Sequence, residues 1–258
     1  MQENDQIRRY YQTLYESWGR QHWWPAESQF EVIAGAYLTQ NTSWINVERA
    51  LNNLRNAQVL SVSGIRCTPL PKLERLIRSA GYFRQKARRL KMFVRFLDEH
   101  HRGSLRRMFA KPTVLLREEL LGLEGIGPET ADSILLYAGN HPVFVVDAYT
   151  RRILERHDLV SGRANYEEIR SLVERALAPC TQTGFLPAPI PTGSVSKVSG
   201  PPGSCHIPSR MSTATRAPLV QVFNEMHGLI VGVGKSFCKK SQPECERCPL
   251  QRFLPAPR

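Results

Sequence analysis

The sequence predicts an all-α protein. Apolar residues recur at three- and four-residue spacing along most of the chain, and Ser, Thr, Asn, Gly and Pro stand where those stripes begin and end. The only strand-like run, Val143-Phe144-Val145-Val146, is four residues long and cannot separate a strand from a buried loop. No internal repeat of fixed period is present.

Taken in order, Phe30, Ile33, Ala34, Tyr37 and Leu38 form the apolar face of one helix. Val47, Ala50, Leu51 and Leu54 form the next, with Asn41, Thr42 and Ser43 as cap residues before it. Leu73, Leu76, Ile77 and Ala80 form a third face, stopped by Gly81. Ala87, Leu90, Val94 and Leu97 form a fourth, with Arg84, Lys86, Arg88, Arg89 and Lys91 as its polar side. Later helices are marked by Ala131/Ile134/Leu135/Ala138, by Tyr166/Ile169/Val173 and by Val222/Phe223/Met226/Leu229/Ile230/Val233. Residues 180–218 differ: seven Pro, four Gly, six Ser and five Thr without one Asp or Glu offer little apolar surface to offset ordering entropy. They are expected to form a flexible insertion between two helices.

A chain of 258 residues has room for one large or two small domains. Its 41% hydrophobic and 22% charged residues exclude disorder throughout. It has no apolar run of membrane-spanning length, and its first residues, MQENDQIRRYYQ, are polar, so neither a membrane span nor a secretory signal is expected. The expected compartment is cytoplasmic and reducing. Lys plus Arg number 35 against 23 Asp plus Glu, and this excess points to a polyanionic partner, nucleic acid first. Three of the six cysteines, Cys238, Cys245 and Cys248, crowd into eleven residues, which in a reducing compartment reads as metal or iron–sulfur ligation.

The most informative stretch is LLGLEGIGPETADSILLYAGNHPVFVVDAYTRR, Leu120–Arg152. A helix ends near Leu121, and Gly125 and Gly127 make a tight turn. Pro128 then opens a new helix, where its missing N–H has no helical partner. Glycines admit close approach of a ligand, and a helix N-terminus offers unpaired N–H groups, so the hairpin reads as a phosphate cradle between helices. Twenty residues after Gly127 the apolar run ends in Asp147, which reads both as the N-cap of the next helix and as a rigidly held carboxylate.

The glycine hairpin, the Val-Asp-Ala-Tyr-x-Arg-Arg segment and the spacing of the C-terminal cysteines resemble the endonuclease III branch of the helix-hairpin-helix DNA glycosylases. The resemblance covers nearly the whole chain outside 180–218. It implies two all-α lobes: residues 29–139 as a six-helix barrel with the hairpin, and residues 1–28 plus 140–258 as a second lobe with the cysteine-cluster loop. It also implies that Gly125, Gly127 and Thr130 grip the DNA backbone and that Asp147 is catalytic. The basic helix is then expected to face either DNA phosphates or solvent.

Two departures bear on the chemistry. Bifunctional members of that family carry a Lys at the second residue after the last hairpin glycine, and this sequence has Glu129, which cannot form a Schiff base. The adenine–mismatch branch has a Glu where this chain has Gly35. The expectation is a monofunctional base-excision glycosylase acting as a monomer on duplex DNA. His22-Trp23-Trp24-Pro25 and Gln40-Asn41-Thr42-Ser43-Trp44 further resemble the 3-methyladenine subgroup. That implies Trp23, Trp24 and Trp44 as walls of a base pocket and Gln40 as filler of the hole left by a flipped base. An alkylated purine is the expected substrate. A thymine or uracil mismatch glycosylase and a catalytically silent DNA-binding module are the alternatives.

Cys238-x6-Cys245-x2-Cys248-Pro249 matches three ligands of the family's [4Fe–4S] cluster, but the fourth position is Leu254. Three outcomes stay open: a cluster on three cysteines, substitution by Cys180 or Cys205, or a vestigial loop. A cluster is the expectation, with three-cysteine zinc the lesser variant.

Overall fold

The computed structural model describes residues 2–181 and 208–255, and among these every regular element is helical. In chain order they are α1 (Gln2–Trp18), α2 (Gln29–Thr39), α3 (Trp44–Asn56), α4 (Val62–Cys67), α5 (Leu70–Leu76) and α6 (Phe83–His101). There follow α7 (Leu105–Phe109), α8 (Thr113–Leu121), α9 (Pro128–Ser133), α10 (Ala148–Arg156), α11 (Tyr166–Leu177) and α12 (Pro218–Ser236). None of the described helices is long and apolar enough to cross a membrane. The chain divides into two compact units, Ala26–His141 and Met1–Pro25 with Pro142–Arg258.

The unit of Ala26–His141 is built around α2. Every residue from Phe30 to Leu38 is buried, and α3, α6 and α9 pack against the helix. Such a helix, apolar on all sides, belongs at the centre of a bundle. Ser28 caps its start by accepting from Glu31 N–H (3.2 Å). Ser133 ends α9, and the chain continues into a π-helical turn over Ile134–Ala138, closed by Gly139 N–H donating to Ile134 O (3.1 Å). The stripe Ala131/Ile134/Leu135/Ala138 is buried as its spacing predicts.

The third expected helix is broken. It leaves α-helical geometry at Ile77, forms a 3₁₀ turn over Arg78–Ala80 and reverses at Gly81, which has φ +64°. Lys86 holds this break. The sequence places Lys86 on a polar helix side, yet it is 2% exposed. Its ammonium donates to Leu38 O (2.9 Å), Thr42 Oγ1 (2.8 Å) and Ala80 O (2.8 Å). Leu38 and Ala80 lie at helix ends, where carbonyls lack helical partners, so one cation satisfies acceptors from two elements. Burial, aided by nearby Arg89, lowers the Lys86 pKa to about 8.

In the other unit α1 buries Ile7, Tyr10, Tyr11 and Leu14, and packs against α11 and α12. A reciprocal capping box between Asn165 and Glu168 starts α11. Helix α12 is buried without interruption from Val222 to Gly234. Its glycines admit close neighbours: a Cβ at Gly234 would meet the Tyr149 ring at 2.2 Å, and one at Gly228 would meet Gln21 Cβ at 2.9 Å and Trp23 Cβ at 3.1 Å. Val143–Val146 is a buried extended segment and not a strand.

The expected insertion is too wide at both ends. Ala178–Thr181 is a 3₁₀ turn with Cys180 buried, and Ser209 and Ser212 bond each other reciprocally ahead of Pro218, the first residue of α12. Their short hydroxyls satisfy local backbone groups, so a Ser-rich composition here makes a turn. The rest of the expected insertion, 182–207 with Cys205, lies outside the described residues.

Lys86 gives the fold a pH signature. The unfolded chain keeps this proton up to its ordinary pKa near 10.5, whereas the folded chain releases it from about 8. Stability linked to Lys86 therefore rises with pH between those values. Relative to Lys86→Met, wild-type unfolding free energy should gain roughly 3 kcal/mol from pH 7 to 10.5. Urea unfolding of both proteins across that range measures it.

Candidate functional site

The hairpin lies within the unit of Ala26–His141. Leu123 N–H donates to Leu120 O and Ile126 N–H to Leu123 O (both 3.1 Å), so the chain turns tightly between α8 and α9. Gly125 sits at φ +78°, and a Cβ there would lie 2.0 Å from Arg89 Nε, so the guanidinium rests directly on this glycine. Gly127 is extended and exposed, with nothing within 4 Å of a Cβ built on it. The two glycines therefore do different work. Gly125 makes the turn and accepts Arg89, while Gly127 leaves its face open ahead of the first turn of α9. Glu129 is exposed in that turn, and Thr130 is buried.

Gln40, the C-cap of α2, binds the hairpin from below. Its Nε2 donates to Gly125 O (2.8 Å) and Thr130 Oγ1 (3.0 Å), and its Oε1 accepts from Arg89 Nη1 (3.0 Å). Both ends of the Gln40 amide are thus bound, one to the hairpin and the other to α6. Buried Asp132 accepts a bidentate pair from Arg117 of α8, at 2.7 and 3.1 Å. This ties the two helices on either side of the turn.

The basic side of α6 is not uniform. Lys86 is buried, Arg89 serves the hairpin, Lys91 donates to Arg66 O (2.9 Å) and Arg95 pairs with Glu99 (2.7 Å). Arg84 and Arg88 remain exposed. Tyr82, passed over in the sequence, is 71% exposed at φ +44° just before α6. An exposed aromatic held in a turn is suited to stacking on a base. Trp44 is half-buried at the first position of α3.

The carboxylate lies in the other unit. The segment leading to it is held by α11: Phe144 N–H donates to Glu174 Oε1 (2.9 Å) and Val146 N–H to Tyr166 Oη (3.3 Å). Asp147 then caps α10. Its Oδ1 accepts from Thr150 N–H (2.7 Å) and Thr150 Oγ1 (2.9 Å). The cap and the rigid carboxylate are thus one arrangement. Oδ2 faces His227 Nε2 at 3.7 Å. The His227 ring lies 5.9 Å from the Trp23 ring and 6.2 Å from that of Phe144, and burial holds the imidazole pKa below its usual range against the pull of Asp147. Lys235 Nζ stands 5.7 Å from the Trp23 ring centre. Trp24 is buried with its ring 5.6 Å from that of Trp23. His227 is the residue that periodicity missed. Its signal was a His inside an otherwise apolar helix stripe.

Cys238, Cys245 and Cys248 line one cavity, with Leu254, Phe237 and His157 among the other walls. Arg156 Nη1 donates to Cys238 Sγ (3.1 Å) and Lys239 O (2.8 Å), Arg156 Nη2 to Lys240 O (2.9 Å), and Arg152 Nε to Cys238 O (2.7 Å). Cys180 is buried elsewhere and does not line the cavity. Among the described residues no three His, Cys, Asp or Glu side chains converge on a single ion position.

Residues 34–179, more than half of the chain, match the family described as HhH-GPD superfamily base excision DNA repair protein. A protein of Methanocaldococcus jannaschii assigned as a DNA repair glycosylase is 38% identical over 257 residues, 98% of each chain. The structure of Helicobacter pylori 3-methyladenine DNA glycosylase bound to 1,N6-ethenoadenine superposes with TM-score 0.68 at 26% identity, covering 90% of this chain and 97% of that one. A non-covalent endonuclease III–DNA complex superposes with TM-score 0.67 at 19% identity over 97% and 94%, and shows the same fold.

The hairpin geometry separates three substitutions. Asp132→Asn takes the charge from the buried bidentate pair with Arg117 and should cost ~3–5 kcal/mol. Gly125→Ala forces a left-handed alanine into the Arg89 guanidinium and should cost roughly 1–3 kcal/mol. Gly127→Ala, in open space, should cost under ~1 kcal/mol. Urea unfolding of the three variants gives that order.

Proposed function

Because the chain belongs to the HhH-GPD superfamily of base excision DNA repair proteins and is a DNA N-glycosylase, we propose that it hydrolyses the bond between deoxyribose and an alkylated purine and leaves the sugar–phosphate backbone whole. It acts as a monomer on duplex DNA. The observation that carries this reading is Glu129, exposed in the first turn of α9 where bifunctional relatives place a lysine. A carboxylate forms no imine with the sugar, so the lyase route through that position is closed.

Asp147 is the catalytic carboxylate in this reading. Breaking the N-glycosidic bond leaves an oxocarbenium-like sugar, and a fixed anion beside it stabilises the charge and orients water. Thr150 engages Oδ1 twice and so directs Oδ2 toward the reaction. An alkylated purine is already cationic and departs without a second carboxyl group to protonate it. Trp23 and Trp24, in the same unit as Asp147, take the base, since an indole face attracts a cationic ring by up to ~2 kcal/mol when desolvated. The similarity to a 3-methyladenine DNA glycosylase supports this substrate class. Gly125 and Gly127 approach the DNA backbone, with Thr130 and Gln40 setting the hairpin's shape.

The cysteine cavity fits part of the family's cluster. Three thiols share one cavity, Arg156 supplies a positive donor to Cys238 Sγ, and the fourth position is hydrocarbon, Leu254. Cys238, Cys245 and Cys248 would hold a [4Fe–4S] cluster, and its role would be structural, since base hydrolysis moves no electrons.

Incubation with methylated duplex DNA, without alkali, should release 3-methyladenine from unbroken strands, and Asp147→Asn should abolish release while binding persists. Release from G·T or G·U duplexes alone would overturn the alkyl-purine assignment. Protein purified without oxygen should carry iron and sulfide in equal amounts, and Leu254→Cys should raise that content and slow its loss in air. A colourless, iron-free, folded protein would sink the cluster reading.

A further inference from the structure

We propose that His227 is a positioning residue for Asp147, a neutral imidazole that fixes the direction of Oδ2 without cancelling its charge. The inference rests on the catalytic role given to Asp147 above. Thr150 saturates Oδ1 through its N–H and hydroxyl, whereas Oδ2 faces Nε2 of His227 at 3.7 Å. That separation is too long for a hydrogen bond and short enough for a charge–dipole attraction in the tautomer that carries the proton on Nε2.

The surroundings suit a neutral ring. His227 is 4% exposed on α12, between the rings of Trp23 and Phe144. Gly228 beside it lets the Trp23 side chain approach α12 at its Cβ, closely enough to complete this enclosure. The charged groups acting on His227 are Asp147 at the start of α10 and Lys235 on its own helix. The segments before α2 and before α10 present aromatic rings there. Burial disfavours the imidazolium, and this decides what the residue contributes. A charged Lys or Arg at this place would pair with Asp147 and weaken its pull on the developing sugar cation. A neutral N–H dipole orients the same oxygen without adding to the positive charge that Lys235 already sets near Asp147.

The test uses the full chain and methylated duplex DNA under single-turnover conditions. His227→Phe keeps a ring in the enclosure and removes the donor. It should lower the rate constant for base release about 10–100-fold, the scale of a mispositioned catalytic group. Affinity for the duplex should stay the same. His227→Gln, which restores an N–H donor, should recover part of the rate. Should His227→Phe lose its fold, His227→Gln against His227→Met makes the same comparison, amide donor against thioether. Equal rates within either comparison overturn the inference. Asp147→Asn run in parallel tells which reading has failed: if it is inactive while His227→Phe is normal, only the His227 role falls. An active Asp147→Asn, or a wild type that releases no base, overturns both.

Discussion

The proposed chemistry depends on one carboxylate being held still. Asp147 ends a buried extended segment and begins a helix, and Thr150 binds the same carboxylate oxygen through two donors. A side chain that caps a helix has little conformational freedom left. The elements behind it serve that fixation. Helix α11 takes the N–H groups of Phe144 and Val146 that have no strand partner, and α12 packs against α10 through Gly234. A hydrogen-bond requirement of a buried backbone is thereby turned into positional accuracy.

The hairpin follows a different logic. Its shape is set from beneath by Gln40 and Arg89, and its flanking helices are tied by Arg117 and Asp132. These are polar groups with little access to water, and each finds its partner within the same unit. The outer side, at Gly127, is left with nothing near it. The hairpin is rigid on one side and open on the other, the arrangement the proposed phosphate contact requires, and the two glycines divide those tasks.

Much of this was legible in the sequence. The helical faces, the glycine turn, the cap at Asp147 and the cysteine spacing depend on neighbours a few residues apart, and periodicity reads such neighbours directly. What escaped it depends on partners far along the chain. Lys86 looked like a surface cation because its acceptors, Leu38 and Ala80, are backbone atoms with no sequence signature. Gln40 looked available because Gly125 and Arg89 lie 85 and 49 positions away. His227 was hidden in an apolar stripe, and the serines near 209–212 passed for linker because turn-forming and unstructured compositions coincide.

The arginines beneath the cysteine loop bear on what holds it in place. Arg152 and Arg156 bind the backbone of residues 238–240 and the first cysteine sulfur using protein atoms alone. Attachment of this stretch therefore does not wait for anything the cysteines carry. The root of the loop is fastened to α10 by protein atoms alone, so its position, and that of the helix Asp147 caps, is independent of what the three thiols hold.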